Sequence, residues 1–172
     1  MTHKFDLLVL LLLILIGISC SSNPNLISLR SDITKLDSIK DAALKNDKVF
    51  TNFFNKHDFY SAGFDEKLYD SIFLVTETNY TNLVNAIDQS EEVLCKSYRL
   101  NLKNYINQLQ LIQNELFEKI LKESVGSDYS VGYLNQMIFE YSEKGDYLYE
   151  EVLNSRNRLF FKYNLDNFNK PN

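Results

Sequence analysis

Few side chains in this sequence could carry covalent or acid–base chemistry. There are two cysteines, Cys20 and Cys95, and two histidines, His3 and His57. A metal centre needs several His, Cys or carboxylate ligands converging on one point. His57 is the one histidine beyond residue 20, and no His pair, Glu-x-x-His or His-Glu-x-x-His spacing is present. Neither a Gly-x-Ser-x-Gly elbow nor a phosphate loop ending in Gly-Lys occurs. The stretch from Gly126 to Gly132 is glycine-bearing but lacks the following lysine, and it reads as a turn between helices. The paired carboxylates Glu91/Glu92 and Glu150/Glu151 are sequence neighbours, so on a helix they point to different sides. The reading therefore contains no catalytic residue, no metal ligand set and no cofactor, and the chain is not expected to be an enzyme.

Cys20 is the reactive residue with a context. Leu7 to Ile16 is an unbroken apolar run, extended by Gly17 and Ile18, behind a weakly positive start at His3 and Lys4. About 12 apolar residues match the core of a secretory signal. As a helix they would reach ~18 Å, short of a ~30 Å hydrocarbon core. Ile16-Gly17-Ile18-Ser19-Cys20 then places small residues directly before a cysteine. This resembles a relaxed bacterial lipobox. The resemblance implies cleavage after residue 19 and acylation of the Cys20 thiol, which is the expected lipidation site. Each buried CH₂ contributes ~0.8 kcal/mol, and two or three acyl chains would hold the body at a membrane. Cys95 would then be the one remaining thiol. It sits in an apolar-periodic stretch and reads as buried and inert, with an intermolecular bridge as the alternative.

The elements that follow are helical. Residues 1–19 read as signal peptide, 20–25 as lipidated cysteine and short tether, 26–165 as helical bundle and 166–172 as a frayed tail. Leu26, Leu29, Ile33, Leu36, Ile39 and Ala43 recur at steps of three and four, predicting a helix from Leu26 to about Asn46. Val49, Phe50, Phe53 and Phe54 could continue it, and Gly63 marks a connection. No Gly or Pro lies between Phe64 and Val125, where two stripes follow. Tyr69, Ile72, Phe73, Tyr80, Leu83 and Ile87 form the first; Leu102, Ile106, Leu109, Ile112, Leu116 and Ile120 form the second. One rod of about 60 residues, ~90 Å long, competes with two helices broken near Asp88–Glu92. Unbroken phase favours the rod. The thin core a rod would leave favours the break, with Ser90 as an N-cap. Gly126 ends this segment and Asp128 or Ser130 can cap the next. There Leu134, Ile138, Tyr141, Gly145, Leu148, Val152 and Leu159 form a bundle seam. Gly145 suggests a close approach or a kink. The fold expected is all-α, an antiparallel bundle of three or four helices behind a lipoprotein signal peptide.

Charge and aromatics bear on partners. Lys and Arg total 18 against 23 Asp and Glu, a net −5. Without a basic cluster, this disfavours nucleic acid. Arg156, Arg158 and Lys162 make a small basic end that suits a helix C-terminus. Eleven Tyr and twelve Phe with no Trp is generous for a bundle. The rings of the last third cannot all share one seam. Tyr133, Tyr147, Tyr149, Phe160 and Phe161, interleaved with Glu140, Glu143, Asp146, Glu150 and Glu151, are candidate binding residues. Tyrosine is favoured at interfaces because it is large, stiff and amphipathic. A wider buried face would account for the same rings.

With its relaxed lipobox at 16–20, the serine after it, nineteen asparagines and a helical body rich in Lys, Ile, Leu, Phe and Tyr, the chain resembles the helical surface lipoproteins of spirochaetes (Borrelia type). That resemblance implies an outer-membrane location, often facing outward, and often binding of host proteins. The expected function is a lipid-anchored, non-enzymatic protein-binding module. The short tether points instead to a periplasm-facing structural lipoprotein or envelope-complex subunit.

Overall fold

The computed structural model describes residues 24–56, 66–90, 93–118 and 131–165. The signal segment, Cys20, His57, Gly63, Ile120, the Gly126–Ser130 turn and the 166–172 tail lie outside the described residues. Among those described there are four long helices and no strand. Helix α1 is Pro24–Lys56 and α2 is Glu66–Asp88. A single 3₁₀ turn, Val93–Cys95, leads into α3, Lys96–Leu111. Helix α3 runs on into a π-helical turn, Ile112–Phe117, and α4 is Val131–Lys162. The protein is an all-α bundle.

Helix α1 begins at Pro24, two residues earlier than the Leu26 stripe suggests, so Pro24 and Asn25 belong to the helix and not to the tether. Proline suits a first turn, where its missing N–H is not needed. The helix passes Asn46 without stopping and spans 33 residues, ~50 Å. It passes because the Asn46 amide has partners on α2. Its Nδ2 donates to the Thr76 carbonyl at 2.9 Å, and its Oδ1 accepts from Asn79 Nδ2 at 2.9 Å. Thr76 turns its hydroxyl back onto its own helix, to the carbonyls of Ile72 at 2.8 Å and Phe73 at 3.0 Å. This small polar layer lies inside the bundle, with Asn46 and Thr76 both buried.

Direction follows from the cross-helix contacts. Along α1, Asp32, Asn46 and Phe50 meet Ser90, Thr76 and Tyr69 of the descending α2 segment. Asp88 pairs with Lys103, and Phe73 with Gln113, so α3 climbs as α2 descends. Asn101 meets Glu151 and Gln108 meets Tyr141, so α4 descends again. The order is up-down-up-down. Helix α3 packs against all three others, most extensively against α4.

The core follows from that placement. Leu29, Ile33, Leu36 and Ala43 of α1 are fully buried with Tyr98, Leu102 and Ile106 of α3 and Val152 of α4. Cys95 is buried among them, in keeping with an inert thiol. A separate aromatic cluster closes the far end of the α1–α2 pair. There Phe50, Phe53 and Tyr69 are buried, with Phe73 against them at ring distances of 5.9–6.5 Å. Val49, expected in that apolar set, is 47% exposed.

Of the two readings for the central stretch, the chain breaks after Asp88. Ser90 does not cap α3. Its hydroxyl donates to Asp32 Oδ2 at 3.2 Å, tying the break to α1, and α3 enters through the 3₁₀ turn with no side-chain cap at Cys95. A cross-helix acceptor took the hydroxyl that the local pattern assigned to the next helix.

Candidate functional site

Helix α4 carries all five aromatic residues singled out above. It spans 32 residues, ~48 Å, and its inner face is set by packing on α3. Met137, Gly145, Val152, Ser155 and Leu159 are buried on that face. The seam phase expected at its start is wrong by one residue. Ile138 is 41% exposed, and the flexible Met137 fills the inward place. Opposite this part of α4 lies the π turn of α3, whose wider winding rotates the face it presents. The side chains of Leu116 and Leu134 lie outside the described set.

The five aromatics divide. Tyr149 is half-buried with its ring 5.2 Å from that of Tyr105. Phe160 is half-buried beneath the Arg156 guanidinium, 4.3 Å from its centroid. Those two serve packing rather than an outer face. Tyr133, Tyr147 and Phe161 are 44%, 61% and 88% exposed. They stand fourteen residues apart, so they share one outward sector of the helix. Phe139, 64% exposed, is an outward ring the sequence reading missed. Its place between two seam positions was the available signal.

The outer surface is polar between the rings. Glu140, Glu143, Asp146 and Glu150 are exposed in its first two-thirds, together with Lys144; Arg158 and Lys162 are exposed near its end. Gln136 donates to Glu140 at 2.9 Å along the same face. Two shallow concavities lie here. One is lined by Glu140, Glu143, Lys144 and Tyr147, the other by Asn154, Asn157, Arg158, Phe161 and Lys162. Both are open surface grooves, the form a docking protein can use, and neither is an enclosed small-molecule pocket.

Arg156 is not part of a solvent-facing basic end. Its Nε lies 2.7 Å from Asp37 Oδ1 and its second nitrogen donates to Oδ2 at 2.7 Å. Tyr98 donates its hydroxyl to Asp37 Oδ1, also at 2.7 Å. One carboxylate of α1 thus joins α3 and α4. Burial pushes the Asp37 carboxyl up, but the hydrogen bonds from Arg156 and Tyr98 and the charges of Arg156 and Lys40 hold it below its ordinary value. Burial, then the bond to Asp37, pushes the Tyr98 phenol up. At the other end, Tyr141 donates to Glu115 Oε2 at 2.9 Å, which raises its phenol pKa. These contacts fix the rotation of α4 and so decide which rings face out.

Among the described residues no group of three or more His, Cys, Asp or Glu could hold a metal ion. Among the same residues, no helix is long and apolar enough to cross a membrane. No protein-family model matches the chain, and neither a curated protein nor a solved structure matches it.

Proposed function

We propose that this chain is a lipid-anchored protein-binding module of a bacterial envelope, tethered through Cys20 and presenting the outer face of α4. The observation that carries this reading is the division of the α4 aromatics. Among the described residues Tyr149 and Phe160 turn inward, whereas Tyr133, Tyr147 and Phe161 are 44%, 61% and 88% exposed. Exposing a large ring has no stabilising role for the monomer, and a partner surface would bury it. The lipobox-like run at 16–20 supports the anchor.

Replacing Cys20 with Ser tests the anchor. The unmodified variant is expected in the soluble fraction, without incorporated fatty acid. A variant that stays with membranes and migrates unchanged after fatty-acid labelling would overturn it. For the binding face, a Tyr147→Ser, Phe161→Ser chain is expected to lose a protein that the native chain retains from serum or envelope extract.

One observation favours a periplasm-facing role within the same reading. With α1 starting at Pro24, residues 20–23 are all that separate the anchor from the first helix, a reach of ~14 Å. Protease added to intact cells separates the two orientations. Cleavage supports outward display, and protection supports the periplasmic side.

A further inference from the structure

The end of the bundle at which α1 begins differs from the rest of the surface. Asp32 of α1 bonds Ser90, and Asp37 bonds both Tyr98 of α3 and Arg156 of α4. The first turn of α1, the 3₁₀ turn entering α3 and the last turns of α4 therefore lie at one end, within ~15 Å of one another along the axis. Apolar side chains stand out of it. Ile27, Val93 and Leu94 are exposed there, Val93 by 74%.

The charge of this end is opposite to that of the chain. Residues 24–37, 88–99 and 156–165 hold seven Lys and Arg against five Asp and Glu. The rest of the chain beyond residue 20 holds ten against seventeen. Three of the five acids are engaged within the protein: Asp32 with Ser90 and Lys35, Asp37 with Tyr98 and Arg156, and Asp88 with Lys103. Arg30, Lys96, Arg158 and Lys162 are exposed. Leu74 and Val75, exposed on the far half of α2, have Asp70 and Glu77 beside them in sequence instead. An acidic protein thus shows apolar side chains and bases together at the end where its chain leads back to Cys20.

What meets this end follows from the tether. Residues 20–23 reach ~14 Å, so an acylated Cys20 holds the first turn of α1 beside the lipid. Apolar side chains flanked by bases suit a headgroup boundary: the apolar groups are buried and the bases meet anionic phosphates. We propose that this end of the bundle is a membrane-contact surface, with Ile27, Val93 and Leu94 in the headgroup boundary of an anionic bilayer and Arg30, Lys96, Arg158 and Lys162 against its phosphates. This rests on the reading of Cys20 as a lipid anchor and deepens it, because lipid becomes a partner of the folded body and the bundle stands on its anchored end. Tyr147, ~21 Å along α4 from Phe161, is then held clear of the bilayer for a protein partner.

The test uses the full-length, acylated chain in vesicles of phosphatidylcholine and phosphatidylglycerol. An environment-sensitive fluorophore is attached at Ile27→Cys, Val93→Cys or Leu74→Cys, all exposed positions, with the native chain as labelling control because Cys95 is buried. Leu74 lies ~30 Å from Ile27 along the bundle. Nitroxide-bearing lipids are expected to quench the probes at Ile27 and Val93 strongly and the probe at Leu74 weakly. In the Val93→Cys chain, adding Lys96→Glu and Lys162→Glu is expected to reduce quenching about twofold, as is replacing the mixture by phosphatidylcholine alone. A chain that floats with the vesicles but is quenched at Ile27 and Val93 no more than at Leu74 would overturn the contact surface and leave the anchor standing. A chain that stays in solution would overturn both readings. Quenching unchanged by the two glutamates would overturn the role given to the bases.

Discussion

Arg156 grips Asp37 across 119 positions of sequence, with guanidinium nitrogens 2.7 Å from each carboxylate oxygen. Both side chains are about one-fifth exposed, so the pair is neither a free surface bridge nor fully desolvated. Removing one partner leaves a charge in a partly dry place. For fully buried pairs that loss is ~3–5 kcal/mol, so here Asp37→Ala or Arg156→Met is expected to lose about 2–3 kcal/mol. Tyr98→Phe removes a single hydroxyl and is expected to lose about 1 kcal/mol. Denaturant unfolding measures all three. The Asp37→Ala, Arg156→Met double variant is expected to lose less than the sum of its parts, and strict additivity would show the contact to be idle.

Two aspartates of α1 are expected to respond to pH with opposite signs. Asp37 has a folded-state pKa below its unfolded one, near 4. Its contribution is therefore complete above that unfolded value and lost as pH falls through the lower folded one. Asp47 is raised by burial, so its folded state favours the protonated acid. Its contribution is complete below the unfolded value and lost as pH rises through the higher folded one. At pH 7, Asp37→Asn is expected to lower the unfolding midpoint and Asp47→Asn to raise it. Both differences are expected to shrink as the pH is lowered below 4. A midpoint for Asp47→Asn that falls at neutral pH would contradict the burial argument.

The pieces legible in the sequence were those that repeat along one helix. Leu29, Ile33, Leu36 and Ala43 announce their shared face by spacing, and the structure buries all four. The break after Asp88 was legible from the thinness of the core a single rod would leave. What escaped was decided by reach across helices. Nothing near Asp37 signals Arg156, and nothing near Ser90 signals Asp32. Asn46 looked like a helix end because its partners, Thr76 and Asn79, lie 30 and 33 positions away. The surplus of rings in α4 was visible, but its division was not. Tyr147 and Tyr149 differ by two positions, about 160° apart around a helix, and only the rotation set by α3 tells which of them turns inward.

Gly145 sits in the α4 seam, a position where the sequence suggests a close approach or a kink. A Cβ built there would meet Ile112 Cδ1 at 3.8 Å, an ordinary van der Waals contact. There is room for a methyl group and no positive φ to preserve. Alanine in place of glycine favours a helix interior by ~1 kcal/mol. Gly145→Ala is expected to raise the thermal midpoint by about 2–4 °C in a chain of this size. Gly145→Leu is expected to lower stability by about 1–3 kcal/mol through overpacking against α3. Calorimetry on the two variants separates a vacancy from a required contact, and a destabilised alanine variant would contradict the room beside Ile112.

The end of α4 is a defined cap. Asn164 has φ of 51°, the left-handed region that asparagine tolerates better than most residues. The Leu165 N–H donates to the Phe160 carbonyl at 2.9 Å, and the Asn164 N–H to the Phe161 carbonyl at 3.3 Å. These are the two bonds of a Schellman cap, and Leu165, 1% exposed, completes it by packing into the core. The reversal at Asn164 fastens the helix that bears Phe161. Glycine has no Cβ to strain there, so Asn164→Gly is expected to leave stability unchanged or raise it by a few tenths of a kcal/mol. A β-branched residue is forced into a disfavoured conformation, so Asn164→Val is expected to lose about 1–2 kcal/mol. Amide hydrogen exchange in the last turn is the sensitive readout. Protection of the Leu165 amide is expected to survive Asn164→Gly and to vanish in Asn164→Val. Equal protection in both would mean that packing of Leu165, rather than the backbone reversal, holds the end of α4 in place.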